Sequence, residues 1–262
     1  MYDPDLIRLS FFLCALILCG LWEWRSPRKR LTQSKSYRWF NNLGLVAFNS
    51  VCLTLLMPIL AFEAALIASQ NQWGLFYLLD LPFVFTLAFC VVLLDLAVYL
   101  QHLIFHKFPI LWRLHRMHHA DQDIDITTGS RFHPLEILIS VWVKITVVVI
   151  LGVPPMAVIV FEVVLNVSAM FNHSNAKLPL KLDAAIRTIM VTPDMHRVHH
   201  SVIARETHSN FGFCLSVWDR RFGTYIAQPE LGHDKVKIGL PLFRKVSEQR
   251  LDKMLTQPFR NH

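Results

Sequence analysis

Nine histidines stand in an order and spacing that metal chemistry could use. They are His102-Leu-Ile-Phe-His106, His115-Arg-Met-His118-His119, the single His173, and His196-Arg-Val-His199-His200. Residues three or four apart share one face of a helix. His102 and His106 therefore point the same way, and each later triplet is expected to set its three imidazoles along one stripe. Neutral imidazole is a common metal ligand, and imidazoles on helices converge on one ion with little backbone strain. The chain holds 13 histidines in 262 residues, about twice an ordinary share. Even at that frequency, one H-x-x-H-H arises by chance in about three chains per hundred of this length, and two far more rarely. Nine imidazoles exceed the needs of one ion, so the pattern predicts two metals, each with open positions. Imidazole suits Zn, Cu, Fe and Ni alike.

Carboxylates close to such a set would offset its charge and fix the tautomers of the rings. Asp95 lies two turns before His102 on the same helical face, with Tyr99 between them. Glu136, Asp183 and Asp194 are the other acidic candidates. Arg131 is expected to face a lipid phosphate or an acidic partner. His208, His233 and His262 fall outside every box and are expected on the surface. Trp218 to Tyr225 is expected to be a structural turn closing over the site.

The elements that must position these rings are apolar. The composition is 53% hydrophobic and 17% charged, against about a quarter charged in soluble domains. Long uncharged runs exclude a soluble globule, a disordered chain and a fibrous repeat. The five cysteines contain no C-x-x-C, which argues against a disulfide framework or a thiolate site. Leu6 to Trp22 is long enough to cross a bilayer. Its acidic start and missing cleavage site favour a retained helix over a signal peptide. Arg25, Arg28, Lys29, Arg30, Lys35 and Arg38 follow it, and a basic loop of this kind belongs in the cytoplasm.

Further spans are expected from about Asn42 to Ser69 and from Leu81 to Leu103. Leu135 to Met170 should form a helical hairpin, reversed at Gly152-Val-Pro-Pro155. Beyond Asp95 and Glu63, few polar residues are expected along the spans. The predicted fold is an all-α integral membrane protein with about three transmembrane helices, a helical hairpin and a cytoplasmic histidine-rich cap. Its regions would be an N-terminal membrane part (1–80), a catalytic part (81–230) and a C-terminal cytoplasmic tail (231–262). A net charge of +7 then reports orientation rather than nucleic-acid binding. The topology gathers every histidine at one membrane face.

From Asp95 to Tyr225 the chain resembles the fatty acid hydroxylase, or sterol desaturase, superfamily of membrane oxidases. The likeness lies in the histidine boxes in order and in their flanks. Those flanks are Arg131-Phe-His-Pro-Leu-Glu136, Asn172-His-Ser-Asn175, Thr192-Pro-Asp-Met-His-Arg-Val-His-His-Ser201, Asn210-Phe-Gly212 and Trp218-Asp-Arg-Arg-Phe-Gly-Thr-Tyr225. They look like the bacterial sterol-desaturase-type branch, which implies the inner membrane. The resemblance implies two iron ions, replaceable by zinc in isolated protein, with O2 as co-substrate. The implied ligands are His102, His106, His115, His118, His119, His173, His196, His199 and His200. His133 is implied as a tenth ligand or a residue just behind the ligands, where Asp95, Tyr99, Glu136 and Asp194 are also expected. Four-plus-four and five-plus-five divisions both remain open.

The reaction implied is O2-dependent hydroxylation or desaturation of a lipid. The competing classes are a metal carrier and a membrane protein with a zinc-stabilised cap. The chain shows no haem, flavin or cysteine-cluster motif, so a separate donor of ferredoxin or cytochrome type is expected. Arg187, Arg197, Arg205, Arg220, Arg221, Lys235 and Lys237 could dock it or hold anionic headgroups.

Overall fold

The computed structural model describes residues 3–79 and 81–260, and among them it is helical without strands. His262 lies outside the described residues. Eight helices build the body: α1 (Pro4–Arg25), α2 (Lys35–Leu56), α3 (Ala61–Gln70), α4 (Leu75–Leu78), α5 (Phe83–Lys107), α6 (Pro109–His119), α7 (Pro134–Leu151) and α8 (Pro155–His173). Five stretches are long and apolar enough to cross a membrane: Pro4–Arg25, Lys35–Leu78, Phe83–Lys107, Pro134–Leu151 and Pro155–His173.

The second of these is broken, not one continuous span. Proline cannot donate to the helical ladder and its ring crowds the preceding turn; the chain leaves the helix at Met57 and resumes at Ala61. Glu63 closes the break by accepting the Leu60 N–H at 2.9 Å. The alanines of α3 (Ala61, Ala64, Ala65, Ala68) are buried and let it sit close against α7 and α8.

The hairpin turns where Gly and Pro require it. Gly152 ends α7 at φ +68°, and Pro155 occupies the first turn of α8. A Cβ on Gly152 would stand 2.5 Å from the Trp73 carbonyl oxygen, so the turn tolerates no side chain there. Cys90, Leu94, Val148, Val158 and Phe161 form the apolar core among α5, α7 and α8.

The spans are less uniformly apolar than composition suggests. Glu162 of α8 takes Arg8 of α1 at 2.7 Å and Lys144 of α7 at 2.9 Å. Intramembrane charges are costly and are kept where they pair or face a cavity. Phe83, Phe85 and Phe89 are exposed on α5, as lipid contacts would be.

Candidate metal centre

Helix phase, not box membership, decides where each imidazole goes. Phe108 breaks the long helix and Pro109 opens α6, turning it back so that its last turns face the end of α5. Within α6, His115 and His119 point together, while His118 is rotated about 100° from His119. The same offset separates His199 and His200 at the end of α9 (Pro193–His199). Each triplet is therefore divided, contrary to the expectation of three rings on one stripe. His102, His106, His115, His119 and His199 form one group, and His118, His173, His196 and His200 form the other. In each, the candidate nitrogens lie within 4.8 Å of one another. A five-and-four division results.

The chemistry of these nitrogens fits metal ions. His102 and His115 face each other through Nε2 atoms 3.0 Å apart. Nε2 of His173 lies 3.2 Å from that of His118 and 3.0 Å from that of His196. Bonds of about 2.1 Å at right angles would set nitrogens about 3 Å apart. Nε2 of His106, His119, His199 and His200 is buried without a hydrogen-bond partner. Buried polar atoms are rarely left so. Burial and the neighbouring imidazoles hold His118, His119, His196, His199 and His200 well below the usual imidazole pKa. Neutral rings with free lone pairs are what a metal requires.

Oxygen acceptors on the far nitrogens set the tautomers. Nδ1–H of His102 donates to the Phe211 carbonyl at 2.8 Å, that of His173 to Ala169 at 2.7 Å, and that of His199 to Ser209 at 2.6 Å. His118 uses the Arg131 carbonyl at 3.2 Å. His115 alone among these five meets a carboxylate, Glu136 Oε1 at 2.6 Å. Each such bond puts the proton on Nδ1 and turns Nε2 inward.

The other expected supports act at one remove. Asp95 touches no ligand ring; it accepts from Trp218 Nε1 at 2.8 Å and from the Cys214 and Leu215 N–H groups. Tyr99 shares a 2.8 Å hydrogen bond with Thr224, which donates to Asp219, and Asp219 takes the Phe211 and Gly212 N–H groups. Both thus fix the loop whose Phe211 carbonyl holds His102. Asp194 pairs with Arg28 at 3.1 Å instead of with a ligand, and Asp183 pairs with Arg187.

Several sequence expectations are corrected. His133 belongs to neither group: it caps α7 by accepting the Leu135 N–H, and its Nε2 donates to the Leu255 carbonyl at 3.2 Å. Arg131 is wholly buried and donates to Met117 O, Asn42 Oδ1 and Gln249 Oε1. His233 is buried, 3.8 Å from Asp194. His208 is exposed, yet its Nδ1 stands 3.1 Å from Nδ1 of His106; an imidazole eight residues past a box was the available signal. Arg187 and Arg197 are buried, which leaves Arg205, Arg220, Arg221, Lys235 and Lys237 as the exposed basic set.

A cavity of about 380 Å³ opens beside the five-histidine group. His102, His115 and Glu136 lie in its wall, and Leu53, Val98, Val141 and Leu165 continue it among the spans. Its volume and lining suit an alkyl or acyl chain.

Residues 87–224 match the model of the fatty acid hydroxylase family. The chain is similar to an ornithine lipid hydroxylase of Rhizobium tropici, 24% identical over 83% of this chain and 66% of that protein. It is 28% identical to an alkylglycerol monooxygenase of Xenopus tropicalis over 90% of this chain and 50% of that one. A human cholesterol 25-hydroxylase is 27% identical over 52% of this chain and 49% of its own. The chain thus spans two-thirds or less of the length of these relatives. No solved structure matches it. With the histidine boxes, their flanks and the matched segment in agreement, the chain belongs to the fatty acid hydroxylase family.

Proposed function

We propose that this protein is a membrane oxidase that uses O2 to hydroxylate a C–H bond of a lipid. One observation carries the reading: two adjoining groups of buried imidazoles, five and four in number, stand beside an apolar cavity. His102, His106, His115, His119 and His199 would hold one metal, and His118, His173, His196 and His200 the other. Iron is the metal the reading requires, because a redox pair supplies the O2 activation and hydrogen abstraction that an unactivated C–H bond demands. Hydroxylation is favoured over desaturation by the hydroxylase and monooxygenase names of the relatives.

The chain's own residues bind, orient and exclude water. Leu53, Val98, Val141 and Leu165 would take the lipid chain out of the bilayer and hold it beside His102 and His115. Glu136 keeps the His115 proton on Nδ1 and brings a negative charge to a set of neutral ligands. Arg28 and Arg38, from the basic loop and the start of α2, bond Asp194 and Asp121 next to the histidine boxes. This supports placing the site on the cytoplasmic face, since basic loops stay there. Electrons would come from a separate ferredoxin or cytochrome-type donor at that face.

The test is metal analysis of the purified chain together with lipidomics of cells grown under 18O2. Two iron ions per chain and one lipid carrying the label are expected, with the labelled lipid absent from a His118→Ala strain. Tightly held zinc, no O2 uptake with reductant and unchanged lipids would overturn the proposal in favour of a zinc-stabilised cap.

A further inference from the structure

We propose that Lys144 forms an oxyanion-recognition site in the cavity wall, so that the preferred substrate is an amphiphile bearing a carboxylate or phosphate. This rests on the reading of the cavity as the lipid site. Glu136 and Lys144 both line the cavity and both belong to α7. Eight residues separate them, which is about 12 Å along the helix axis. One end of this stretch meets a ligand ring, and the other carries the lysine.

The orientation of the charges makes the site specific. Lys144 Nζ donates to Glu162 Oε1 at 2.9 Å, and Arg8 takes Oε2 at 2.7 Å. Both carboxylate oxygens are therefore engaged, and two cations share one anion. Asp5, the further partner of Arg8, is 91% exposed and neutralises little of the charge facing inward. Lys144 lines the cavity, whereas Glu162 is not among its lining residues. An ammonium has three N–H donors, so two remain for a group inside the cavity.

The cavity wall is mostly apolar, with Asn49, Ser50, Ser130, Asn166 and a Gln101–Ser140 pair at 2.7 Å as neutral polar points. In such surroundings an ammonium attracts an oxyanion far more strongly than in water. A neutral alcohol or hydrocarbon of equal length gains much less. A cation that served only to join helices would need neither a place in the cavity wall nor a second cation on its partner.

Equilibrium binding of radiolabelled dodecanoate, dodecyl phosphate and dodecanol to the full chain in nanodiscs at pH 8, with empty nanodiscs subtracted, tests this. The wild type should bind at least one of the two anions tenfold or more tightly than dodecanol, and the tighter anion identifies the oxyanion. Lys144→Met should bring that anion within about twofold of dodecanol, and Lys144→Arg should keep the preference. Glu162→Gln, which frees the ammonium, should tighten anion binding several-fold and gives a second arm if Lys144→Met misfolds. Equal binding of all three probes by the wild type, or an unchanged preference in Lys144→Met and Glu162→Gln, overturns the inference. His118→Ala should keep the anion preference, so failure of the oxidase reading and failure of this site remain distinguishable.

Discussion

The two histidine groups adjoin but are built differently. The group of five borders the cavity through His102 and His115, has a carboxylate on one ring, and reaches the surface through His106 and the exposed His208. The group of four is enclosed. His118 and His173 lean on backbone carbonyls, and the nearest acid on α9, Asp194, holds Arg28 instead of a ring. One group thus borders the apolar cavity and an exposed ring, while the other is enclosed and has four rings. On the proposed reading the five-histidine side would receive substrate, and the smaller group would hold its metal with fewer rings and without the carboxylate that His115 has.

Removing single rings should break this comparison most sharply. His196→Ala leaves three imidazoles in the smaller group, and metal analysis should fall from two ions per chain to one. His119→Ala leaves four in the larger group, and both ions should stay, one of them more easily drawn off by a chelator. Equal losses would mean that the groups do not differ.

The next effect lies in the buried network behind the group of four. Burial, with Arg197 and Arg28 nearby, pushes His233 down to about 4 despite Asp194. The unfolded chain takes up that proton near the ordinary value of about 6.5, while the folded one does not until about 4. Between these values the unfolded state binds more protons, so stability falls as pH drops from 6.5 and levels off below 4. Thermal unfolding from pH 7.5 to 4 should show this slope, and His233→Gln should flatten it.

The smallest effect concerns the carboxylate that only the larger group has. Glu136→Gln should weaken metal binding there by about 10–100-fold, as loss of a ligand's hydrogen-bond partner typically does, and leave the group of four unchanged. Competition with a chelator reads both sites in one titration. A loss shared by both would show that Glu136 supports the fold as a whole.

What was legible in the sequence follows from the range of each signal. The nine ring positions and the Gly152-Val-Pro-Pro155 reversal are local patterns, and local patterns survive into the fold. The division of each triplet was not legible, because it depends on how α6 and α9 are rotated against α5 and α8. His133 was misleading since a ring beside Pro134 caps a helix as readily as it binds a metal. Glu162 and Lys144 are single charges in apolar runs, and their meeting with Arg8 requires three helices to pack. The burial of Arg131 depends on Gln249, more than a hundred residues away.

That last contact belongs to a brace. Residues 246–259 return to the body, where Gln249 joins Arg131 to the Ala120 carbonyl and Met254 packs between Leu45 and Met117. The carbonyls of Gln257 and Pro258 take Arg116 and Arg113 of α6. The helix bearing three of the nine rings is therefore steadied by a stretch that follows all five apolar stretches in chain order. Ion capture should accordingly be a late event in biogenesis, and a nascent chain halted before residue 246 should sit in the membrane with its pocket still slack.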